Sequence, residues 1–257
     1  MCIREVFFSI FVHSHIKSYC TLIPRANGWL QNNLDIYLIK CETVEKKVTC
    51  IEDVTNDSCM FLPKNHHAAY VKGLRLWYVN VTGTRKLALE SMAPSEIGYM
   101  NVIPKCIDAS GKYPKYEHLP ETYAAINAYL AGAPLEGKIV TIETVPLKLP
   151  RKQWKSFEIN PDETYFPDEY LRHVLNITRI YFRYGEPEVE LIGAQDFLPD
   201  FEGSSHWPPL HHSTPRYGPI STAINKVKDW IQNTNVCIWV WYISLITQVD
   251  PHVYSAH

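Results

Sequence analysis

Two carboxylates and two guanidiniums recur in similar settings along this chain. Glu42 opens the triplet Glu42-Thr43-Val44, and about 100 residues later Glu143 opens Glu143-Thr144-Val145. Arg75 stands two residues before Trp77, and Arg179 two residues before Tyr181. A carboxylate and a guanidinium on neighbouring strands can pair with each other, which satisfies both charges inside a fold. Alternatively the planar guanidinium fork can hold an anionic ligand, with the aromatic ring as a flat contact beside it. The reading from sequence is an ion pair between neighbouring strands, Glu42 with Arg75 and Glu143 with Arg179. Arg75, Arg179, Trp77, Tyr181, Glu42 and Glu143 are then the candidate ligand-binding residues.

Other chemistries find less support. His66-His67, His118, His206 and His211-His212 lack the i, i+4 spacing of a helical metal motif. Asp162-Glu163 with Glu143 could make the carboxylate pair of a glycoside hydrolase, but the matching stretch reads Asp57-Ser58 and lacks the second acid. Ser204-Ser205-His206 puts a base beside a hydroxyl only in sequence, which is not the geometry of a triad. The chain has no GxSxG, no Walker loop and no GxGxxG. The seven cysteines form no CxxC. No cofactor, metal or catalytic residue is expected.

Bulk composition sets outer limits. The chain has 257 residues, 46% hydrophobic and 20% charged, which is globular rather than disordered composition. A net charge of −2 argues against a non-specific nucleic-acid binder. The apolar run Val6–Val12 after Arg4 makes a poor signal-peptide core, and "HSHIKS" a poor cleavage region. That favours the cytoplasm over secretion without fixing the compartment. "VCIWVWYISLI" (236–246) is too short to span a bilayer and reads as a buried strand.

The elements that must position the Glu and Arg residues extend the echo. "PRANGWLQNN" matches "AAINAYLAGA", pairing Asn27 with Asn127, Trp29 with Tyr129 and Leu30 with Leu130. "NDSCMFLP" meets "PDETYFPD", pairing Asp57 with Asp162 and Phe61 with Phe166. "YVKGLRLWYVN" meets "HVLNITRIYFR", and Ile97-Gly98 meets Ile192-Gly193. "STAINKVKDWIQNTNVCIWVWYI" from Ser221 repeats the opening block once more. The expected organisation is a tandem repeat: residues 21–104 and 120–199 as two units and 219–257 as a partial third. Pro-rich linkers fill 105–119 and 200–218, and 1–20 has no counterpart.

Each unit reads as α+β, one helix and an antiparallel sheet of three to four strands. In the second unit Pro120 opens a helix, since its missing N–H would be unpaired in the first turn anyway. Tyr123, Ile126 and Leu130 fall on one face, and Gly132 stops it. "GKIVTIETVPLKL", "DETYF", "HVLNITRIYFRY" and "EVELIGAQDF" read as four strands. What the units share is core positions, one Glu and one Arg, not a catalytic set. The expected function is a non-enzymatic tandem-module protein that binds a protein, glycan or lipid. The alternatives are a hydrolase with its site where the two units meet, and a structural or storage protein.

Overall fold

The computed structural model describes residues 3–8, 11–12, 15–16, 18–48, 69–81, 96–111, 114–149, 159–167, 173–187, 191–206 and 213–234. Phe61, Asp57, His66, His67, Trp154, His211, His212 and the apolar stretch 236–246 lie outside them. The chain divides into two compact bodies, a larger one whose described residues run up to Ile192 and a smaller one within Gly193–Val240. Among the described residues, three helices and several antiparallel sheets make it α+β, as expected.

The larger body opens with strand β1 (Ile3–Phe8) and a minimal hairpin, β2 (Phe11–Val12) and β3 (His15–Ile16). A 3-10 turn over Tyr19–Thr21 leads into helix α1 (Leu22–Gln31). Two long strands follow, β4 (Ile36–Val48) and β5 (Ala69–Asn80). Next come β6 (Ile97–Val102), a second hairpin of β7 (Cys106–Asp108) and β8 (Lys115–Tyr116), and helix α2 (Leu119–Gly132). Two more long strands close the body, β9 (Gly137–Leu149) and β11 (His173–Tyr184), with the short β10 (Tyr165–Pro167) between them.

Local chemistry accounts for the helices. Pro120 sits in the first turn of α2, Glu121 faces the positive end of its dipole, and the helix ends at Gly132. Its buried face is Thr122, Tyr123, Ile126 and Leu130; that of α1 is Leu22, Ala26 and Leu30. Both are stripes at helical spacing that must cover a sheet. Each helix is also tied to a backbone segment by one asparagine. Asn27 donates to Ile97 O at 3.1 Å and accepts from Ile97 N at 2.8 Å. Asn127 does the same with Ile192, at 2.8 Å each way.

The long strands form two antiparallel sheets. In the first, β5 is central, with β4 on one edge and β1 and β10 sharing the other. In the second the order is β6-β11-β9. The registers match in detail. Glu42 lies opposite Arg75, and Ile39 is skipped between the Leu38–Tyr78 and Lys40–Trp77 pairs. Glu143 lies opposite Arg179, and Val140 is skipped between the Ile139–Phe182 and Thr141–Tyr181 pairs. The bulge thus falls three residues before the glutamate in both sheets. The two sheets share a core in which Cys41, Leu74 and Leu76 of the first pack with Val140 and Tyr181 of the second.

Two expectations need correction. Residues 191–197, read as part of a fourth strand, have no regular structure, while 188–190 lie outside the described residues. A strand exists only where a ladder partner takes up its N–H and C=O groups; β6 has β11 as that partner, and among the described residues 191–197 has none. The stretches read as spacers are also not bare linkers. The first contains the β7/β8 hairpin, closed where Glu117 N donates to Lys105 O at 2.9 Å. The second lies in the smaller body and contains β12 (Phe201–His206) paired with β13 (Ser213–Tyr217), closed where Gly218 N donates to Asp200 O at 2.8 Å. Helix α3 (Ile220–Asn233) follows, with Trp230 edge-on to Phe197 at 5.6 Å and Lys226 paired with Asp200 at 2.7 Å.

Candidate functional site

The recurring charged residues lie in two places with opposite environments. Glu143, Arg179 and Tyr181 meet on the buried side of β9 and β11, where they face the outer edge of β4. Arg179 is fully buried. Its Nε donates to Asn101 Oδ1 at 2.7 Å, Nη1 to Thr43 Oγ1 at 2.9 Å and Nη2 to Pro161 O at 3.0 Å. Asp162 Oδ1 stands 3.7 Å from Nη2 and supplies the counter-charge. The guanidinium lies over the Tyr19 ring, 3.8 Å from its centroid, a cation–π stack strengthened by desolvation.

The expected Glu143–Arg179 ion pair takes a different form. The two residues are opposite in register, but the carboxylate turns to β4, where both oxygens accept the Thr43 N–H, at 3.1 and 3.0 Å. Beside it Thr141 Oγ1 accepts the Cys41 N–H at 3.1 Å. β4 is an edge strand, so the outward N–H groups of Cys41 and Thr43 have no ladder partner. Buried donors of this kind require an acceptor, and side chains of β9 provide it. The Thr43 hydroxyl completes the set, bonding to Tyr19 Oη at 3.2 Å and Tyr181 Oη at 2.8 Å, while the two tyrosine hydroxyls bond to each other. Asp162 in turn accepts from Tyr99 Oη and Asn101 Nδ2, both at 2.9 Å.

Burial controls the protonation of these groups. It pushes the Tyr181, Tyr19 and Tyr99 hydroxyls up, so all three stay protonated. It raises Glu143 as well, against the opposing pull of Thr43 and Arg179, and raises the Cys41 thiol with help from the Glu143 charge. For Arg179 burial opposes the charge, but its acidic surroundings, Glu143 among them, outweigh it and keep the guanidinium a cation. Burial thus holds the protons of the three tyrosines and of Cys41 on their side chains. Each charged member already has protein partners.

A second buried cation lies nearby in the sheets. Lys72 on β5 is 1% exposed and donates its Nζ to Pro146 O, with the Phe166 ring 4.8 Å away. Burial pulls it down to about 7, opposed by the Glu45 carboxylate. Glu45 itself pairs with Lys148.

Glu42, Arg75 and Trp77 lie on the matching side of β4 and β5, yet are only partly buried. Arg75 Nη1 is 3.7 Å from Glu42 Oε2, so here the expected ion pair does form. Glu42 also accepts from Trp77 Nε1 at 2.9 Å and from Lys40 at 3.2 Å. Arg75 Nε is 3.1 Å from Glu5 Oε2 but is not directed along a hydrogen bond to it.

The six candidates from sequence thus fall into two separate triplets. Sequence reasoning did not assign Tyr19, Tyr99, Asn101, Asp162 or Lys72 to the site. The available signals were Thr43 within the repeated triplet, the match of Asp162 to Asp57, and a lone lysine in the apolar run of β5. Among the described residues no group of three or more His, Cys, Asp or Glu is arranged to hold a metal ion, and no helix is long and apolar enough to cross a membrane. Comparison of the chain with protein-family models, curated proteins and solved structures gave no match.

Proposed function

We propose that the chain is a non-enzymatic binding protein of tandem α+β modules of about 100 residues, and that it recognises an exposed β-edge of a protein partner. The module frame runs strand, hairpin, helix and two long strands: β1 to β5, then β6 to β11, with a partial third module from β12 onward. Three matches support this frame. They are the equal position of the bulge and of the Glu–Arg register, the two reciprocal asparagine bridges, and the pairing of β1 with β5 as β6 pairs with β11. In this frame β1, β2 and β3, without a counterpart in sequence, take the place that β6, β7 and β8 take in the second module.

One observation carries the function. In the recurring Glu, Arg and aromatic set the glutamate caps one N–H of an edge strand, that of Thr43, in one setting, and the set stands partly open in the other. A set whose worked example is an edge-strand contact is recognition chemistry. Each charged member of the network where the second module meets the first is already engaged by protein partners, which supports binding over hydrolysis.

The test is selection of a phage-displayed random peptide library on the immobilised full chain. We expect enrichment of extended, β-branched peptides, with binding lost in Glu42→Ala and Trp77→Ala. No enrichment, or enrichment indifferent to both substitutions, would overturn the reading.

A further inference from the structure

Four positions on the second sheet are buried against the first sheet: Val140 at 7%, Glu143 at 6%, and Arg179 and Tyr181 at 0%. Their equivalents by register are Ile39, Glu42, Arg75 and Trp77, and all four are open to some degree. Ile39 is 38% exposed although it is the same bulged apolar residue as Val140. The first sheet therefore presents the face with which the second sheet grips a neighbour, and in the described residues nothing is gripped there.

The opposite half of the contact is also present. What Glu143 grips is the outward N–H of Thr43 on the β4 edge, and Arg179 takes the Thr43 hydroxyl. By the shared register the equivalent of Thr43 is Thr144, on the outer edge of β9. Thr144 is exposed. Strand alternation sends its N–H away from β11, as that of Thr43 points away from β5. One triplet, Glu-Thr-Val, therefore carries both an acceptor for a neighbour on one side and a donor for a neighbour on the other.

We infer that the partner of the Ile39–Glu42–Arg75–Trp77 face is a second copy of this chain, joined head to tail. The Glu42 carboxylate of one molecule caps the Thr144 N–H of the next. This rests on the binding reading above and names its partner. The contact uses different surfaces on the two molecules, so it is heterologous and builds assemblies beyond a dimer, open chains or, where the rotation closes, rings. It differs from its internal template at several places. Trp77, where Tyr181 stands, has no hydroxyl for the threonine and gives its Nε1 to Glu42, and Phe7 lies opposite Arg75 where Asn101 lies opposite Arg179. Lys40 stands where Thr141 stands and supplies no acceptor for the N–H of Ile142, so one edge donor is capped where the internal contact caps two.

Sedimentation velocity of the full chain from micromolar to millimolar concentration tests this. The parent should form species that grow with concentration beyond a dimer. Glu42→Ala should remain monomeric, as should Ile39→Lys, whose exposed, bulged position makes its folding insensitive to the change. Thr144→Pro deletes the donor on an edge that already carries an exposed proline at Pro146, and it should also remain monomeric. A mixture of Ile39→Lys with Thr144→Pro retains one intact head and one intact tail and should stop at a one-to-one dimer. A parent that stays monomeric throughout, or variants that associate like the parent, would overturn the inference. So would a mixture that fails to pair. If the parent is monomeric but still selects peptides through Glu42 and Trp77, only the self-partner falls; if neither occurs, the binding reading falls too.

Discussion

Arg75 and Arg179 occupy one register position in two sheets, so replacing each by methionine isolates the effect of the neighbour. Methionine nearly conserves volume and fills irregular space, which keeps the cavity contribution small. In Arg179→Met the loss is polar. Asn101 Oδ1, Pro161 O and the Asp162 carboxylate lose their donor or counter-charge inside the protein. These acceptors are only part-buried and Asp162 keeps its Tyr99 and Asn101 donors, so the loss falls at the low end of the about 1–3 kcal/mol for a bare buried acceptor and of the about 3–5 kcal/mol for a broken buried charge pair. The Thr43 hydroxyl keeps its tyrosine partners, which holds the total near that range rather than above it. Arg75 has its ion partners Glu42 and Glu5 at the surface, with Glu5 half exposed, and such pairs contribute about 0–1 kcal/mol. Urea unfolding at neutral pH, followed by circular dichroism and fluorescence, should therefore separate the two variants by about 3 kcal/mol at unchanged m-value. Equal losses, or an Arg179→Met protein as stable as its parent, would refute the claim that the network is closed and structural. Arg179 would then have to be retained for a ligand.

Asn27→Ala and Asn127→Ala should each lower stability by about 2 kcal/mol, because each removes one donated and one accepted bond to backbone and leaves both backbone groups unpaired. Urea midpoints that differ widely between them would show that the two bridges are not equivalent. Lys72 gives a pH signature. Folding lowers its pKa from 10.5 to about 7, so between those values the unfolded chain binds the extra proton and stability rises with pH. Lys72→Met should flatten that rise and raise stability at pH 7 and below; a slope unchanged in the variant would mean that Lys72 is not its source.

Local features of the fold were legible in the residues alone. Helix α2 begins and ends where Pro120 and Gly132 place it, because first-turn and stop preferences depend only on nearby backbone geometry. The long strands were legible from alternation and β-branched content, and the positions of Glu42, Arg75, Glu143 and Arg179 from the matched blocks. Their opposition in register followed from antiparallel pairing.

Tertiary structure decided everything that depends on what lies across from a face. Glu143 leaves Arg179 for the Thr43 N–H because a buried edge donor is costlier to abandon than a charge with another counter-ion, here Asp162, within reach. Ile192 was legible as the match of Ile97, but whether it joins a strand depended on a ladder partner that no local pattern encodes. The same dependence separates the two triplets. Glu42, Arg75 and Trp77 share a sequence pattern with Glu143, Arg179 and Tyr181, yet only the second set is sealed. A side chain's period along the chain fixes which face it joins; the desolvation that turns that face into a core or leaves it a surface comes from the neighbour packed against it.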